Sequence, residues 1–160
     1  MTEPQALLRR ATMADAAIVL SWTPDLMALR RWAGPSLNWP NSVEAFWSDL
    51  DTAESATFAL VAPGLGIVGF GQVKLRLPGI GHLARIIVDP RHRGHGFGRA
   101  LCVALMHEAP RLHAISGYSL YVYRDNTPAI ALYRSLGFVG RVAHPKYDEI
   151  VLMEAPVPRA

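Results

Sequence analysis

Val88 to Leu101 reads VDPRHRGHGFGRAL, with glycines at 94, 96 and 98 and arginines at 91, 93 and 99. An apolar run, HLARIIV, precedes it, and Phe97, Leu101, Ala104 and Leu105 follow at helical spacing. A glycine- and arginine-rich turn from strand into helix suits one kind of chemistry. The first turn of a helix presents unpaired N–H groups and the positive end of its dipole, and anions bind there. Glycine lets the main chain approach a ligand and take φ values that other residues avoid. Arginine adds charge-assisted hydrogen bonds to phosphate oxygens. The stretch therefore reads as a pyrophosphate cradle, and the plain alternative is a solvated turn.

Other phosphate motifs fit less well. A Walker loop ends in Gly-Lys followed by Ser or Thr, whereas Gly98 is followed by Arg99 and Ala100. The spacing G-x-G-x-x-G occurs at Gly64 to Gly69 as GLGIVG, but the alternating residues of a strand follow it instead of a helix. That stretch is expected to be a hairpin turn. His92 and His95 lack a third ligand and there is no H-E-x-x-H, so no catalytic metal is expected.

The elements around the loop can be read in outline. Ala6 to Arg10 suits a first strand, and Thr12 suits an N-cap. A helix is expected between Trp22 and Trp32 after Pro24, and another after Ser42 in SVEAFWSDL. TFALVA, IVGFGQVKLRL and HLARIIVD form a three-stranded antiparallel meander. Val73, Leu75 and Leu77 alternate there with Gln72, Lys74 and Arg76, which predicts one apolar and one wet face. The helix after the glycine loop should end at Pro110. YSLYVY is a strand, and NTPAIALYRSLGF is a helix with Asn126 as N-cap, Pro128 in its first turn and Gly137 after its last. Two short strands, near Val139 to Ala143 and Tyr147 to Glu154, complete an α+β (mixed α/β) domain around a largely antiparallel sheet.

The bulk numbers agree with a single domain over residues 1–160, with 51% hydrophobic and 18% charged residues and a net charge of +3. The mild positive excess suits an anionic small ligand as well as nucleic acid. Cys102, the only cysteine, is expected to be a buried, inert thiol. The N-terminus lacks a signal pattern, and no apolar run approaches the roughly 20 residues of a membrane span. The expectation is a soluble cytoplasmic protein with no membrane partner.

At this point the motifs resemble a known family. Arg91, Gly94 and Gly96, in R-x-x-G-x-G after a strand ending VDP, resemble the acyl-CoA loop of the GNAT acetyltransferase superfamily. Asn126 to Phe138 independently resembles its Asn-x-x-A-x-x-x-Y-x-x-x-G-F segment, and the motifs are similar to those of RimI-type N-acetyltransferases. The resemblance implies a splayed sheet of about six to seven strands flanked by about four helices. It implies that pantetheine lies in the gap, paired with the main chain of Ile86, Ile87 and Val88. It implies pyrophosphate contacts along the loop: Arg91, Arg93, Gly94, His95, Gly96, Phe97, Gly98 and Arg99. Asn126 would contact the pantetheine arm, and Tyr133 would serve as general acid to the leaving thiolate. Without the resemblance, Tyr133 reads as a core aromatic and Asn126 simply as an N-cap.

RimI-type members carry a glutamate five residues before this asparagine, and Tyr121 stands there instead. His82 is a candidate base, alone or through water, and reads equally well as a turn histidine at a strand edge. Glu44 and Glu149 are further candidates. An α-amine, with a pKa of about 7.7–8.0, needs less help than a lysine amine at about 10.4. Trp22, Trp32, Trp39 and Trp47 suggest core together with a cleft wall, with Trp32 and Trp39 taken as substrate residues. Arg85 reads either as a cleft residue binding an acceptor carboxylate or as a solvated strand position. The expected reaction is acetyl transfer from acetyl-CoA to an amine, small molecule or protein N-terminus, by a monomer or homodimer. The alternative is a non-catalytic acyl-CoA sensor. Nucleic-acid binding is disfavoured because the charge sits on one turn and does not form a wide surface.

Overall fold

The computed structural model describes residues 3–40, 42–50 and 53–158. The chain runs β1 (Leu7–Arg10), α1 (Met13–Ser21), α2 (Leu26–Ala33), α3 (Val43–Asp49), β2 (Ala56–Ala62), β3 (Gly66–Leu77), β4 (Ile80–Val88), a 3₁₀ turn (Pro90–His92), α4 (Phe97–Leu112), β5 (Gly117–Tyr123), α5 (Thr127–Ser135), β6 (Val139–Ala143) and β7 (Ile150–Pro156). The strands form one sheet in the order β1-β2-β3-β4-β5-β7-β6. Every pairing is antiparallel except β4 with β5. This is the mixed α+β architecture that the element order predicts, with five α-helices among the described residues where about four were expected.

Short polar side chains start the helices. Thr12 accepts from the Asp15 N–H and Asp15 accepts from the Thr12 N–H, closing a capping box that Arg9 grips from outside at 2.6 Å. Asp25, Ser42 and Asn126 cap α2, α3 and α5 by a side-chain oxygen alone, accepting from the N–H of Ala28, Ala45 and Ala129. Helix α4 starts differently: its N-cap, Gly96, is left-handed at φ 86° and offers no capping side chain.

Two apolar layers cover the sheet. Helix α4 packs Leu101, Cys102 and Leu105 with Val68, Val73 and Leu83, and Tyr133 and Phe138 join this layer. Helices α1–α3 pack Val19, Leu29, Phe46 and Leu50 with Ile67, Phe70 and Ile87 on the other face. A Cβ on Gly71 would come within 2.7 Å of Leu105 Cδ1, so a glycine there lets α4 lie close against the strand. Gly64 and Gly66 take positive φ in the β2–β3 turn, so GLGIVG is the hairpin turn expected.

Three expectations need correction. Pro110 does not stop α4, which continues to Leu112. Proline cannot donate to the Met106 carbonyl one turn back, and the Tyr118 hydroxyl donates to that carbonyl at 2.7 Å instead. The last strand begins at Ile150 and not at Tyr147. The end of β3 also has its faces reversed: Leu75 and Leu77 are exposed, Gln72 is buried, and Lys74 and Arg76 are half-buried along a cavity. Period two identified the strand correctly and assigned its wet face to the wrong side, because the cavity lies where bulk solvent was expected.

Candidate active site

Strands β4 and β5 pair only between Ile80–Leu83 and Gly117–Leu120. Beyond Leu83 they part, while β4 stays on β3 and β5 stays on β7. The break coincides with a bulge: Phe70 faces Ile87 and Gln72 faces Ala84, so β4 carries one extra residue there. Arg85 sits in it at φ 51°, the one positive φ among described non-glycine residues. Its guanidinium holds the conformation. Nε donates to the Ala33 carbonyl at 2.9 Å, and Nη1 donates to the Leu50 carbonyl and to Gln72 Oε1. One side chain thus ties the ends of α2 and α3 to the point where the sheet opens.

The bulge also determines which main-chain groups face the gap. The Asp89 N–H donates to the Val68 carbonyl at 2.8 Å, so alternation turns the N–H groups of Val88 and Ile86 away from β3, into the opening. Ile87 turns its own main chain toward β3.

Past Val88, the buried Asp89 shapes the loop. It accepts from the Arg91 main-chain N–H at 3.0 Å and from Arg91 Nη2 at 2.7 Å. The Arg91 hydrogen bonds hold its carboxyl below the usual carboxylate range. Gly94 at φ 79° and Gly96 at φ 86° then turn the chain into α4. The first N–H groups of this 16-residue helix open onto a cleft of roughly 620 Å³. Ile86, Val88, Arg93, Gly94, Phe97, Gly98, Asn126, Leu132 and Tyr133 are among its walls.

That cleft continues through the sheet. A narrow void of about 90 Å³ shares Ile86, Asn126 and Tyr133 with it. The same void shares Leu83, Arg85, Tyr121 and Tyr123 with a chamber of about 260 Å³ on the far side. Arg31 and Trp32 line all three spaces. The three spaces adjoin in series, a channel from the α4 N-terminus by way of the void to the second chamber, with Tyr133 on the wall that the first two share.

Burial raises the Tyr133 hydroxyl well above the ordinary phenol value, with Cys102 adding to the shift. Asn126 spends its Oδ1 on the Ala129 N–H at 3.4 Å and keeps its amide NH₂ for the channel. In the far chamber, His82 is buried 2.8 Å from Ser119 Oγ, which also accepts from Arg76 Nε. Burial, then Lys74 and Arg76, lower its pKa to about 3, so the ring is neutral near pH 7. Its ring meets Tyr121, Tyr121 meets His144, and His144 meets Tyr147, a stack with centroid spacings of 5.2, 4.7 and 5.1 Å.

A family model described as the acetyltransferase (GNAT) family matches residues 26–138. The chain belongs to that family. Among curated relatives, a mycothiol acetyltransferase of Corynebacterium glutamicum is 36% identical over 86 residues, covering 54% of this chain and 29% of that protein. A mycothiol acetyltransferase of an Arthrobacter species is 40% identical over 96 residues, covering 55% and 29%. The matched region thus spans under a third of those longer relatives. The fold matches the ribosomal-protein-S18-alanine N-acetyltransferase of Escherichia coli at TM-score 0.70 and 24% identity, over 98% of this chain and 96% of that one. It matches the Vibrio cholerae spermidine N-acetyltransferase, solved with CoA and spermine, at TM-score 0.77 and 17% identity, over 95% of each chain.

The GNAT motif residues divide into two groups. Ile86, Ile87, Val88, Arg93, Gly94, Phe97, Gly98, Asn126 and Tyr133 line the cleft. Arg91, His95, Gly96 and Arg99 do not line it: Arg91 is paired with Asp89, Gly96 forms the turn, and Arg99 donates to Ser135 Oγ at 2.9 Å. Trp32 lines the channel, edge-on to Phe46 and Phe70, while Trp39 is exposed and lies outside it. Arg85 lines the void and the far chamber, the cleft position expected as one alternative, with Nε and Nη1 bound to the Ala33 and Leu50 carbonyls and to Gln72. His82 is no edge histidine, because β3 and β5 flank it on both sides. Glu44 and Glu149 line none of the three spaces. Sequence reasoning missed Arg31, Tyr121, Arg76, Ser119 and His144. The first lies outside any motif; Arg76, Tyr121 and His144 share a chamber only through the folding of distant segments, and Ser119 meets His82 only through strand pairing.

Proposed function

We propose that this chain transfers an acetyl group from acetyl-CoA to a primary amine by direct attack, with both substrates held in the channel at once. The observation that carries this reading is the continuity of the channel across the splayed sheet, with a buried phenol where its two halves meet. Residues fit the donor at each stage. The glycine loop and α4 N-terminus offer N–H groups to a pyrophosphate. The Ile86 and Val88 N–H groups face an extended arm as a neighbouring strand would, and Asn126 offers its amide NH₂ beside them.

Acetyl-CoA supplies an acyl group already activated as a thioester. In this reading the Val88 N–H turns to the negative charge growing on the carbonyl oxygen, leaving the Ile86 N–H to the arm. As the N–C bond forms and the C–S bond breaks, Tyr133 gives its proton to the sulfur. The proton lost by the amine leaves through the chamber to solvent, from which Tyr133 is reprotonated. No carboxylate lines the channel among the described residues, so the amine must reach it already neutral. That missing base is also what favours the second reading, an acyl-CoA sensor without turnover. Thiol detection with acetyl-CoA and a panel of amines tests the proposal: amine-dependent CoA release supports it. Binding of acetyl-CoA with no release for any amine would leave the sensor.

A further inference from the structure

Arg30, Arg31, Lys74, Arg76 and Arg85 all line the far chamber, and no Asp or Glu among the described residues does. Two of these cations are half-buried with capacity to spare. Arg76 donates Nε to Ser119 Oγ, Arg30 donates Nε to the Leu37 carbonyl, and the terminal nitrogens of both make no hydrogen bond or ion pair among the described residues. Arg85, by contrast, is occupied by main-chain carbonyls, and Arg31 pairs with Asp125 at the surface.

Guanidinium donors left unspent beside a chamber without carboxylates call for an anionic ligand. No residue of the glycine loop or of α4 lines the chamber, so the phosphates of a donor seated at the α4 N-terminus do not serve that need. A cationic acceptor would meet repulsion from Arg30 and Arg76. We infer that the acceptor is a primary amine bearing an acidic group, a carboxylate or a phosphate, which Arg76 and Arg30 hold in this chamber. This rests on the acetyltransfer reading and gives its acceptor a chemical class.

The arrangement would also serve the chemistry. A positive field disfavours the ammonium form of a bound amine, so the walls that hold the acid also help to deliver the neutral nucleophile. His82 already feels that field from Lys74 and Arg76. A separate base is then unnecessary, which fits a chamber without carboxylates.

The test uses one scaffold. Alanyl-glutamate amide is compared with alanyl-glutamine amide, and alanyl-phosphoserine amide with alanyl-serine amide, with spermidine as the cationic arm. Acetylation is followed by CoA release, and equilibrium binding by calorimetry on CoA-loaded protein. One or both acidic members should exceed their neutral partners about tenfold or more in kcat/KM and in affinity, and the favoured pair identifies the anion as carboxylate or phosphate. In Arg76→Gln that ratio should collapse toward one, mainly through KM, with Arg30→Gln as a second variant should the first fail to fold. Equal use of acid and neutral partner, or preference for spermidine, overturns the inference and leaves acetyl transfer standing. If no amine is acetylated, acetyl transfer fails for this panel, and the binding ratio alone decides the anion site: absence of any acid preference overturns it.

Discussion

A phenol that protonates a leaving thiolate must stay neutral until transfer, and burial around Tyr133 secures this by raising its pKa. Tyr133→Phe should lower kcat about 100-fold while leaving the KM for acetyl-CoA near its original value, as steady-state kinetics with thiol detection will show. The rate should also keep its alkaline plateau up to the ordinary phenol range, since Tyr133 titrates above it. His82 gives the opposite case. Its pKa is lowered to about 3 from an ordinary 6.5, so between those values the unfolded chain binds a proton that the folded chain refuses. Stability should therefore rise with pH across that window, and His82→Gln should flatten the rise in denaturation curves taken from pH 4 to 7. Tyr133 and Asn126 were legible in the sequence because their helix carries its own caps and a motif. Arg76 was not, because an alternating arginine looks the same whether its strand faces water or a walled chamber.

Elements show the same division between local and long-range causes. Asn126 as N-cap, the glycine turn and the β2–β3 hairpin follow from neighbours in sequence, and all are present. The bulge at Arg85 depends on Ala33, Leu50 and Gln72, none of them near it in sequence, so alternation alone could not reveal it. The carbonyl that Pro110 leaves without a helical donor is likewise met by a distant group, the Tyr118 hydroxyl. Two substitutions test this level. Gly71→Val forces a branched side chain into Leu105 and should cost about 1–3 kcal/mol in urea unfolding. Asn126→Ala should cost about 1 kcal/mol as a lost cap and also raise the KM for acetyl-CoA, whereas a purely structural cap would leave KM unchanged.

Across the whole molecule, the sheet is two halves joined along four residues of β4 and four of β5, with the channel where pairing stops. The element order was enough to suggest a largely antiparallel sheet, and its splay was expected only from the resemblance to the family. The chamber behind it was not legible, because it is built from α2, β3, β4, β5 and the segment before β7 together. A donor seated between the halves would bridge them, so at about 100 times its Kd CoA should stabilise the fold by about 2.7 kcal/mol, seen as a rise in Tm.

The most direct test of the donor cleft is calorimetric titration of CoA into the native protein and into Gly98→Glu. Gly98 lines the cleft at the start of α4, and a Cβ there meets Leu132 at an ordinary 3.5 Å, so the added carboxylate enters the cleft without backbone strain. The account predicts saturable one-to-one binding to the native chain and loss of that binding in a variant that still folds. Absence of binding in the native chain, or equal binding by the two proteins, would contradict it.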